Sequence, residues 1–215
     1  MICGIDEAGR GPVIGPMVVA GVKVNDDGKL IEIEVKDSKR LSPSRREEME
    51  KKIKDVGEFT LRTIPAEDID SLRDSMGLNE VEADTFASIV DELCSEEDVC
   101  YMDCASTDEK KFEDMVRRGT DGGVEIVSEH EADDEYPVVS AASILAKVER
   151  DRKVEEISKE LDEDIGSGYP SDTRTREFLE EWISENGSFP PYTRKSWETA
   201  RELMNKFKTK SLDDF

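Results

Sequence analysis

The first 22 residues constrain the fold of this chain more than any other segment does. A short apolar run ends in two adjacent acids and a glycine-flanked arginine, within Gly4-Ile5-Asp6-Glu7-Ala8-Gly9-Arg10-Gly11-Pro12. A second apolar run follows from Val13 to Val22, which is typical of a strand. A dinucleotide-binding loop would place a helix there and a third glycine at the position of Ile14. The segment therefore predicts two consecutive strands with charged groups between them, and it argues against a nucleotide-cofactor fold.

The composition bounds the class of protein. A length of 215 residues suits one domain, or one domain with a helical appendage. The sequence shows no signal-peptide pattern at its start and no apolar run of about 18 residues. We therefore expect a soluble, cytoplasmic protein that does not contact a membrane. The four cysteines form no CxxC pair and His130 is the only histidine, which predicts reduced, structural thiols rather than a zinc site.

The charge balance leaves two interpretations open. The net charge of -23, from 53 acidic and 30 basic residues, argues against binding to a polyanion. Between Lys36 and Arg46, however, five basic residues stand against one acid. This segment forms either a positive face on an acidic body or a set of solvated charges around the start of a helix.

The order of apolar and polar segments predicts a mixed α/β sheet with helices on its faces. Three strands come first, the third over Leu30 to Val35, and Ser42-Pro43 then opens a helix that runs to about Val56. Further on, strands are predicted at 59–64, 99–102 and 124–127, and helices at about 78–93, 109–118 and 138–161. After a loop at 166–170, two helices at about 174–184 and 197–206 form a C-terminal region.

Acids recur where the predicted strands end. Asp6 and Asp103 each follow an apolar run, and Asp133 and Asp134 lie between the strand at 124–127 and the next helix. Because open α/β sheets place their sites at the carboxyl ends of strands, we expect these side chains to converge. Carboxylates with almost no histidine favour Mg²⁺ or Mn²⁺, and two such ions about 3.5–4 Å apart suit the attack of water on a phosphodiester. Each acid taken alone also fits a loop residue or a helix cap.

Six segments occur in order over nearly the whole chain: 4–12 as quoted above, Asp37-Ser38-Lys39-Arg40-Leu41, Tyr101-Met102-Asp103, Ala132-Asp133, Ser140-Ala141-Ala142-Ser143-Ile144-Leu145-Ala146-Lys147-Val148 and Gly166-Ser167-Gly168-Tyr169-Pro170-Ser171-Asp172. Together they resemble ribonuclease HII in its archaeal form. The resemblance implies a ribonuclease H-like mixed β-sheet flanked by helices, with a helical C-terminal region. It also implies an endonuclease that hydrolyses RNA in RNA-DNA hybrids and incises 5′ of single ribonucleotides in duplex DNA. We expect a catalytic domain over 1–165, the helical region over 166–208 and a tail over 209–215.

The resemblance also implies roles for individual residues. The catalytic tetrad that holds two Mg²⁺ or Mn²⁺ ions would be Asp6, Glu7, Asp103 and Asp133. Asp133 is favoured over Asp134 because it lies ten residues before Ser143, as the family motif requires, and Asp134 would cap a helix. The substrate-binding residues would be Gly9, Arg10 and Gly11 at the ribose-to-deoxyribose junction, Tyr169 on the next sugar, and Lys39, Lys147 and Arg150 on phosphates.

The last seven residues resemble the tail by which clamp-interacting proteins bind PCNA. Leu212 and Phe215 stand three apart and can enter one groove from a single helical turn, while Thr209 replaces the usual leading glutamine. The expected partners are RNA-DNA hybrids, ribonucleotide-containing duplex DNA and a sliding clamp, bound by a monomer. Two alternatives remain open: another ribonuclease H-like nuclease such as a resolvase or integrase, and a non-catalytic clamp-binding protein.

Overall fold

A five-stranded mixed sheet organises the computed structural model, which describes residues 1–35, 41–104 and 106–213, with side chains to residue 209. The strands are β1 (Ile2–Ala8), β2 (Met17–Val24), β3 (Glu58–Ile64), β4 (Val99–Asp103) and β5 (Glu125–Glu129), in the order β3-β2-β1-β4-β5. β1 pairs antiparallel with β2 and parallel with β4, and β4 pairs parallel with β5. The predicted mixed α/β architecture is therefore confirmed.

Nine helices lie within the described residues: α1 (Gly28–Glu32), α2 (Pro43–Val56), α3 (Ala66–Leu72), α4 (Leu78–Leu93), α5 (Glu109–Gly119), α6 (Ala132–Glu135), α7 (Pro137–Leu161), α8 (Thr173–Asn186) and α9 (Glu198–Asp213). α2 begins where the sequence predicted, because the Ser42 hydroxyl accepts the Arg45 N–H and Pro43 occupies the first turn. The short helices α3 and α6 were not predicted. None of the helices in the described residues has the length and apolar character needed to cross a membrane.

The strand predicted over Leu30 to Val35 is wrong. Part of this segment forms α1, and Glu34 then turns the chain with φ of 59°. Leu30 and Val35 are buried while Ile31 is 56% exposed, so the apolar residues do not share one face of a strand. β2 already has β1 on one side and β3 on the other, which leaves no free edge of β2 for a strand that follows it directly.

The chain divides into two compact units. Unit 1 comprises Met1–Ala8, Val18–Thr63 and Met76–Glu149, and unit 2 comprises Gly9–Met17, Ile64–Ser75 and Arg150–Phe215. The apolar run at Val13 and Ile14 packs in unit 2 against α8 and α9, and β2 therefore begins at Met17 instead of Val13. The domain boundary predicted near residue 165 stays a prediction.

Unit 1 has a core on each face of its sheet. One face carries Val18, Ala20 and Val22 and packs against α7. The other face carries Cys3, Ile5 and Val19 and packs against α4 and α5, in keeping with the alternation of side chains along strands. Gly4 allows β1 to approach α7 closely, because a Cβ there would lie 2.3 Å from the carbonyl carbon of Val138.

Asp98 is a buried carboxylate that links three parts of unit 1. It is 3% exposed and binds the Lys23 ammonium at 2.8 Å and the N-terminal amine at 2.9 Å. The backbone N–H and the hydroxyl of Ser95 each donate to it at 2.8 Å. Burial raises the pKa of Asp98, but the hydrogen bonds from Lys23 and Ser95 outweigh burial and bring the pKa well below its ordinary value.

We expect Asp98→Asn to lower the free energy of unfolding at pH 7 by about 3 kcal/mol, because the substitution leaves Lys23 buried without its counter-charge. Since the pKa is lowered in the folded state, this stabilisation is present above about pH 4 and is lost as the pH falls further. Urea denaturation of wild type and variant should therefore show a difference that shrinks below about pH 4. The exposed Asp74→Asn serves as the control, and an Asp98→Asn protein as stable as wild type at pH 7 would contradict the prediction.

Candidate active site

The four predicted carboxylates belong to unit 1 and follow its parallel strands. Asp6 lies near the end of β1, Asp103 is the last residue of β4, and Asp133 lies in α6 directly after β5. Because β1, β4 and β5 are parallel, these positions fall at the same edge of the sheet. Asp6 and Asp133 are each 5% exposed, while Glu7 and Asp103 are half-buried. The structure thus brings the predicted tetrad together.

The pKa of Asp6 shows that the four carboxylates lie close together. Burial raises the pKa of Asp6 well above its ordinary value, and the charges of Glu7, Asp103 and Asp133 raise it further. A hydrogen bond with Ser143 of α7 acts in the opposite direction. Carboxylates that share a buried site repel one another, so this arrangement favours binding of a cation. A donor set made only of carboxylate oxygens fits Mg²⁺ or Mn²⁺.

Backbone hydrogen bonds orient two of the carboxylates. The Asp6 side chain accepts the N–H of Glu7 at 2.7 Å, and Asp103 accepts the N–H of Ala132 at 2.8 Å. The second bond links the end of β4 to the first residue of α6, and Asp133 is the next residue along the chain. α6 thereby places Asp133 beside Asp103.

Asp134 lies in the short helix α6, and its predicted role as a helix cap stays a prediction. The residue that precedes α6 is Glu131, which adopts a left-handed conformation with φ of 56°. Asp134 lies inside α6, is exposed, and its N–H donates to the Glu131 carbonyl at 2.9 Å. A four-residue helix gives too weak a periodic pattern to be recognised in sequence, which explains why α6 was not predicted.

Most of the predicted substrate-binding residues belong to unit 2. Gly9 has φ of +87°, and a Cβ there would lie 2.6 Å from the Pro16 carbonyl oxygen. A Cβ on Gly11 would lie 3.5 Å from the ring of Tyr169. Glycine is required at Gly9 by both its conformation and the lack of space, and Arg10 between the two is half-buried.

Arg194 holds this segment in place, and sequence reasoning missed it. Its side chain is fully buried and donates to three carbonyl oxygens, those of Gly15 at 3.0 Å, Arg10 at 2.9 Å and Gly9 at 2.6 Å. Burial, with the nearby charge of Arg150, lowers the pKa of Arg194 to about 9. No sequence signal separates this arginine from the other basic residues of the chain.

Arg150 is predicted to contact phosphate, but the structure places it inside unit 2. It is 1% exposed, donates to the Ser167 carbonyl oxygen, and lies 5.0 Å from the centre of the Tyr169 ring. A Cβ on Gly9 would lie 3.1 Å from its Cγ. These contacts favour a role in supporting Gly9 and Tyr169, and the phosphate contact stays a prediction.

The remaining predicted site residues are less well defined. Lys147 lies on α7 in unit 1 and is half-buried. Lys39, Phe215 and the side chain of Leu212 lie outside the described residues. Their predicted roles stay predictions.

Comparisons with known proteins identify the family of this chain. The model of the ribonuclease HII family matches residues 3–200. Ribonuclease HII of Thermococcus kodakarensis is 48% identical over 208 residues, which is 95% of this chain and 90% of that protein. The crystal structure of ribonuclease H2 from Pyrococcus horikoshii aligns with a TM-score of 0.88 at 39% identity, covering 96% of this chain and 98% of that one. The structure of the PCNA:RNase HII complex from Archaeoglobus fulgidus contains a chain that aligns with a TM-score of 0.88 at 41% identity, covering 100% of both.

The mixed sheet with carboxylates at one edge is that of a ribonuclease H-like nuclease. Within that class, the chain belongs to the ribonuclease HII family, the endonucleases of ribonuclease H type 2. The predicted family, fold and enzyme class are confirmed.

Proposed function

We propose that this protein cuts the RNA strand of RNA-DNA hybrids and incises duplex DNA 5′ of single ribonucleotides. The observation that supports this most directly is the burial of Asp6 beside Glu7, Asp103 and Asp133. These four residues would hold two Mg²⁺ or Mn²⁺ ions. Such ions supply an activated water and neutralise charge on the leaving oxygen of a phosphodiester.

Hydrogen bonds within the protein orient the carboxylates of this proposed metal centre. The N–H of Ala132 holds the Asp103 carboxylate, and the N–H of Glu7 holds that of Asp6, so the oxygen donors are oriented before any ion binds. The Ser143 hydrogen bond to Asp6 favours its charged form, which is the form that binds a cation.

The backbone of Gly9, Arg10 and Gly11 would recognise the 2′-hydroxyl of the ribonucleotide. Because the two glycines have no Cβ, a sugar can approach their peptide groups closely, and the 2′-hydroxyl distinguishes RNA from DNA. Arg194 holds the carbonyl groups of Gly9 and Arg10, so the segment does not have to be ordered by the substrate. Tyr169 would pack on the sugar that follows, and Lys39 and Lys147 would contact phosphates.

The function is tested with three labelled duplexes: DNA with one ribonucleotide, an RNA-DNA hybrid, and all-DNA of the same sequence. We expect cutting of the first on the 5′ side of the ribonucleotide and cutting of the hybrid, with Mg²⁺ or Mn²⁺ and not with a chelator. Cutting of the all-DNA duplex would favour another ribonuclease H-like nuclease. Absence of cutting with either ion would contradict the proposal.

Tyr169→Ala should lower kcat/KM on the single-ribonucleotide duplex by about 10-fold, since the ring surface that packs on the sugar is lost. Tyr169→Phe keeps the ring and its stacking with Arg150 and should stay within about 3-fold of wild type. Steady-state kinetics of both variants, with melting temperatures as a folding control, check this. Equal losses in the two variants would show that the hydroxyl and not the ring acts.

We also propose that the tail with Leu212 and Phe215 binds a sliding clamp. The Archaeoglobus fulgidus relative is seen in a complex with PCNA, and an apolar pair three residues apart suits a groove on such a partner. Deleting residues 212–215 should abolish retention on immobilised clamp, while Thr209→Gln, which restores the usual leading residue, should strengthen it. Unchanged retention of the deletion variant would rule the tail out.

A further inference from the structure

Three of the four cysteines converge in unit 1, although Cys3 is far in sequence from Cys94 and Cys100. Cys3 and Cys100 are partners in the β1-β4 pairing, and Cys94 directly follows α4, where its N–H donates to the Val90 carbonyl at 2.8 Å. Their three sulfur atoms lie within 4.8 Å of one another. The fourth cysteine, Cys104, is not part of this group and its thiol contacts the Ser106 carbonyl oxygen.

This thiol cluster (Cys3, Cys94 and Cys100) is separate from the carboxylates. Cys3 lies near the start of β1, and three residues of strand, or about 10 Å, separate it from Asp6. Cys3 also packs on the face of the sheet covered by α4. Asp6 points to the opposite face, since side chains alternate along a strand and Asp6 interacts with Ser143 of α7.

The sulfur atoms are close enough to bind one ion together. Zn²⁺–thiolate bonds are about 2.3 Å long, which puts sulfurs around one tetrahedral ion about 3.8 Å apart. The three sulfur atoms of the cluster lie within 4.8 Å of one another, so small shifts bring them to that separation. Thiolates select soft ions such as Zn²⁺ or Cu(I) over Mg²⁺.

A buried cation lies beside the cluster. The Lys23 ammonium donates to the carbonyl oxygen of Leu93, the residue before Cys94, at 2.8 Å. Its positive charge favours the thiolate forms of Cys94 and Cys3, whereas burial raises the pKa of Cys3 and Cys100. Asp98 is occupied by Lys23, Ser95 and the N-terminal amine, so the three sulfur atoms are the ligands that the described residues offer to an ion.

We propose that Cys3, Cys94 and Cys100 bind one thiophilic metal ion, with Zn²⁺ as the probe, through three sulfur-metal bonds. Up to three thiol protons pass to solvent as these bonds form. Zn²⁺ with three thiolates carries one negative charge. The Lys23 ammonium and the N-terminal amine share the single carboxylate of Asp98, so one positive charge remains to offset it. The ion joins the end of α4 to the starts of β1 and β4, so its binding stabilises the folded state.

The test uses the full-length protein, reduced, metal-free and held in excess Mg²⁺ so that the carboxylates are saturated. Co²⁺ should produce a thiolate-to-cobalt charge-transfer band that saturates at one ion per chain, and Zn²⁺ should remove it. Carboxylate-bound Co²⁺ gives no such band. The melting temperature should rise with Zn²⁺.

Cys94→Ser should lose the band, weaken Zn²⁺ binding by more than about 100-fold, and lose the rise in melting temperature. Cys104→Ser, which removes a buried thiol outside the cluster, should keep the band, the Zn²⁺ affinity and the rise in melting temperature. If Cys94→Ser does not fold, native mass spectrometry of wild type decides, with one Zn²⁺ retained per chain expected. Absence of the band, its survival in Cys94→Ser, or a disulfide forming in place of metal binding would overturn the proposal.

Discussion

Asp6→Asn should abolish cutting and at the same time make the metal-free protein more stable. The substitution removes one of four ligands of the proposed ions, which supply several kcal/mol of transition-state stabilisation, so we expect a loss of about 10³-fold or more. It also removes a buried charge that Glu7, Asp103 and Asp133 repel. The melting temperature should rise by about 2–4 °C, as for about 1 kcal/mol.

The pH dependence gives this prediction a second readout. The pKa of Asp6 is raised in the folded state, so the destabilisation is absent below about pH 4, develops as the pH rises above the unfolded-state pKa and is complete above the folded-state pKa. The stability gain of Asp6→Asn should therefore appear near neutral pH and vanish towards pH 4. Asp134→Asn, the exposed neighbour in α6, should change neither activity nor stability. A cutting rate within tenfold of wild type for Asp6→Asn would exclude Asp6 from the metal centre.

Arg194→Lys should reduce kcat on the single-ribonucleotide duplex by about 100-fold, although the charge is kept. A lysine ammonium cannot reproduce the guanidinium fork that reaches the carbonyls of Gly9, Arg10 and Gly15. A small displacement of a positioning group can cost about 100-fold in rate. We therefore class Arg194 as a positioning residue.

Kinetic and unfolding measurements together distinguish a positioning role of Arg194 from a role in stability alone. Arg194→Lys should lower the free energy of unfolding by about 2 kcal/mol and lower kcat more than it raises KM. The matched control is Arg174→Lys, because Arg174 is an exposed arginine of the same unit that pairs with Asp164 and Asp172. If Arg194→Lys cuts at the wild-type rate while its stability falls, the residue serves stability alone.

Local patterns predicted those elements that depend on local interactions. α2 starts where expected, since Ser42-Pro43 sets its first turn, and α4 starts at Leu78, as the apolar periodicity predicted. The segment Leu30 to Val35 was predicted wrongly because its alternation fits a strand only when a neighbouring edge is free. Whether β2 has a free edge depends on the pairing of β3 with β2, and β3 comes later in the chain than this segment.

The sequence by itself determined the family, the mixed sheet and the carboxylates at its strand ends, because those follow from ordered motifs and short-range periodicity. Only the tertiary structure decided that Asp133 is buried while Asp134 is exposed, and that Arg194 reaches the carbonyl groups of Gly9 and Arg10. It also brought Cys3, Cys94 and Cys100 within reach of one ion. The physical reason is that these contacts join residues up to 185 positions apart, and their geometry depends on packing that no local pattern encodes.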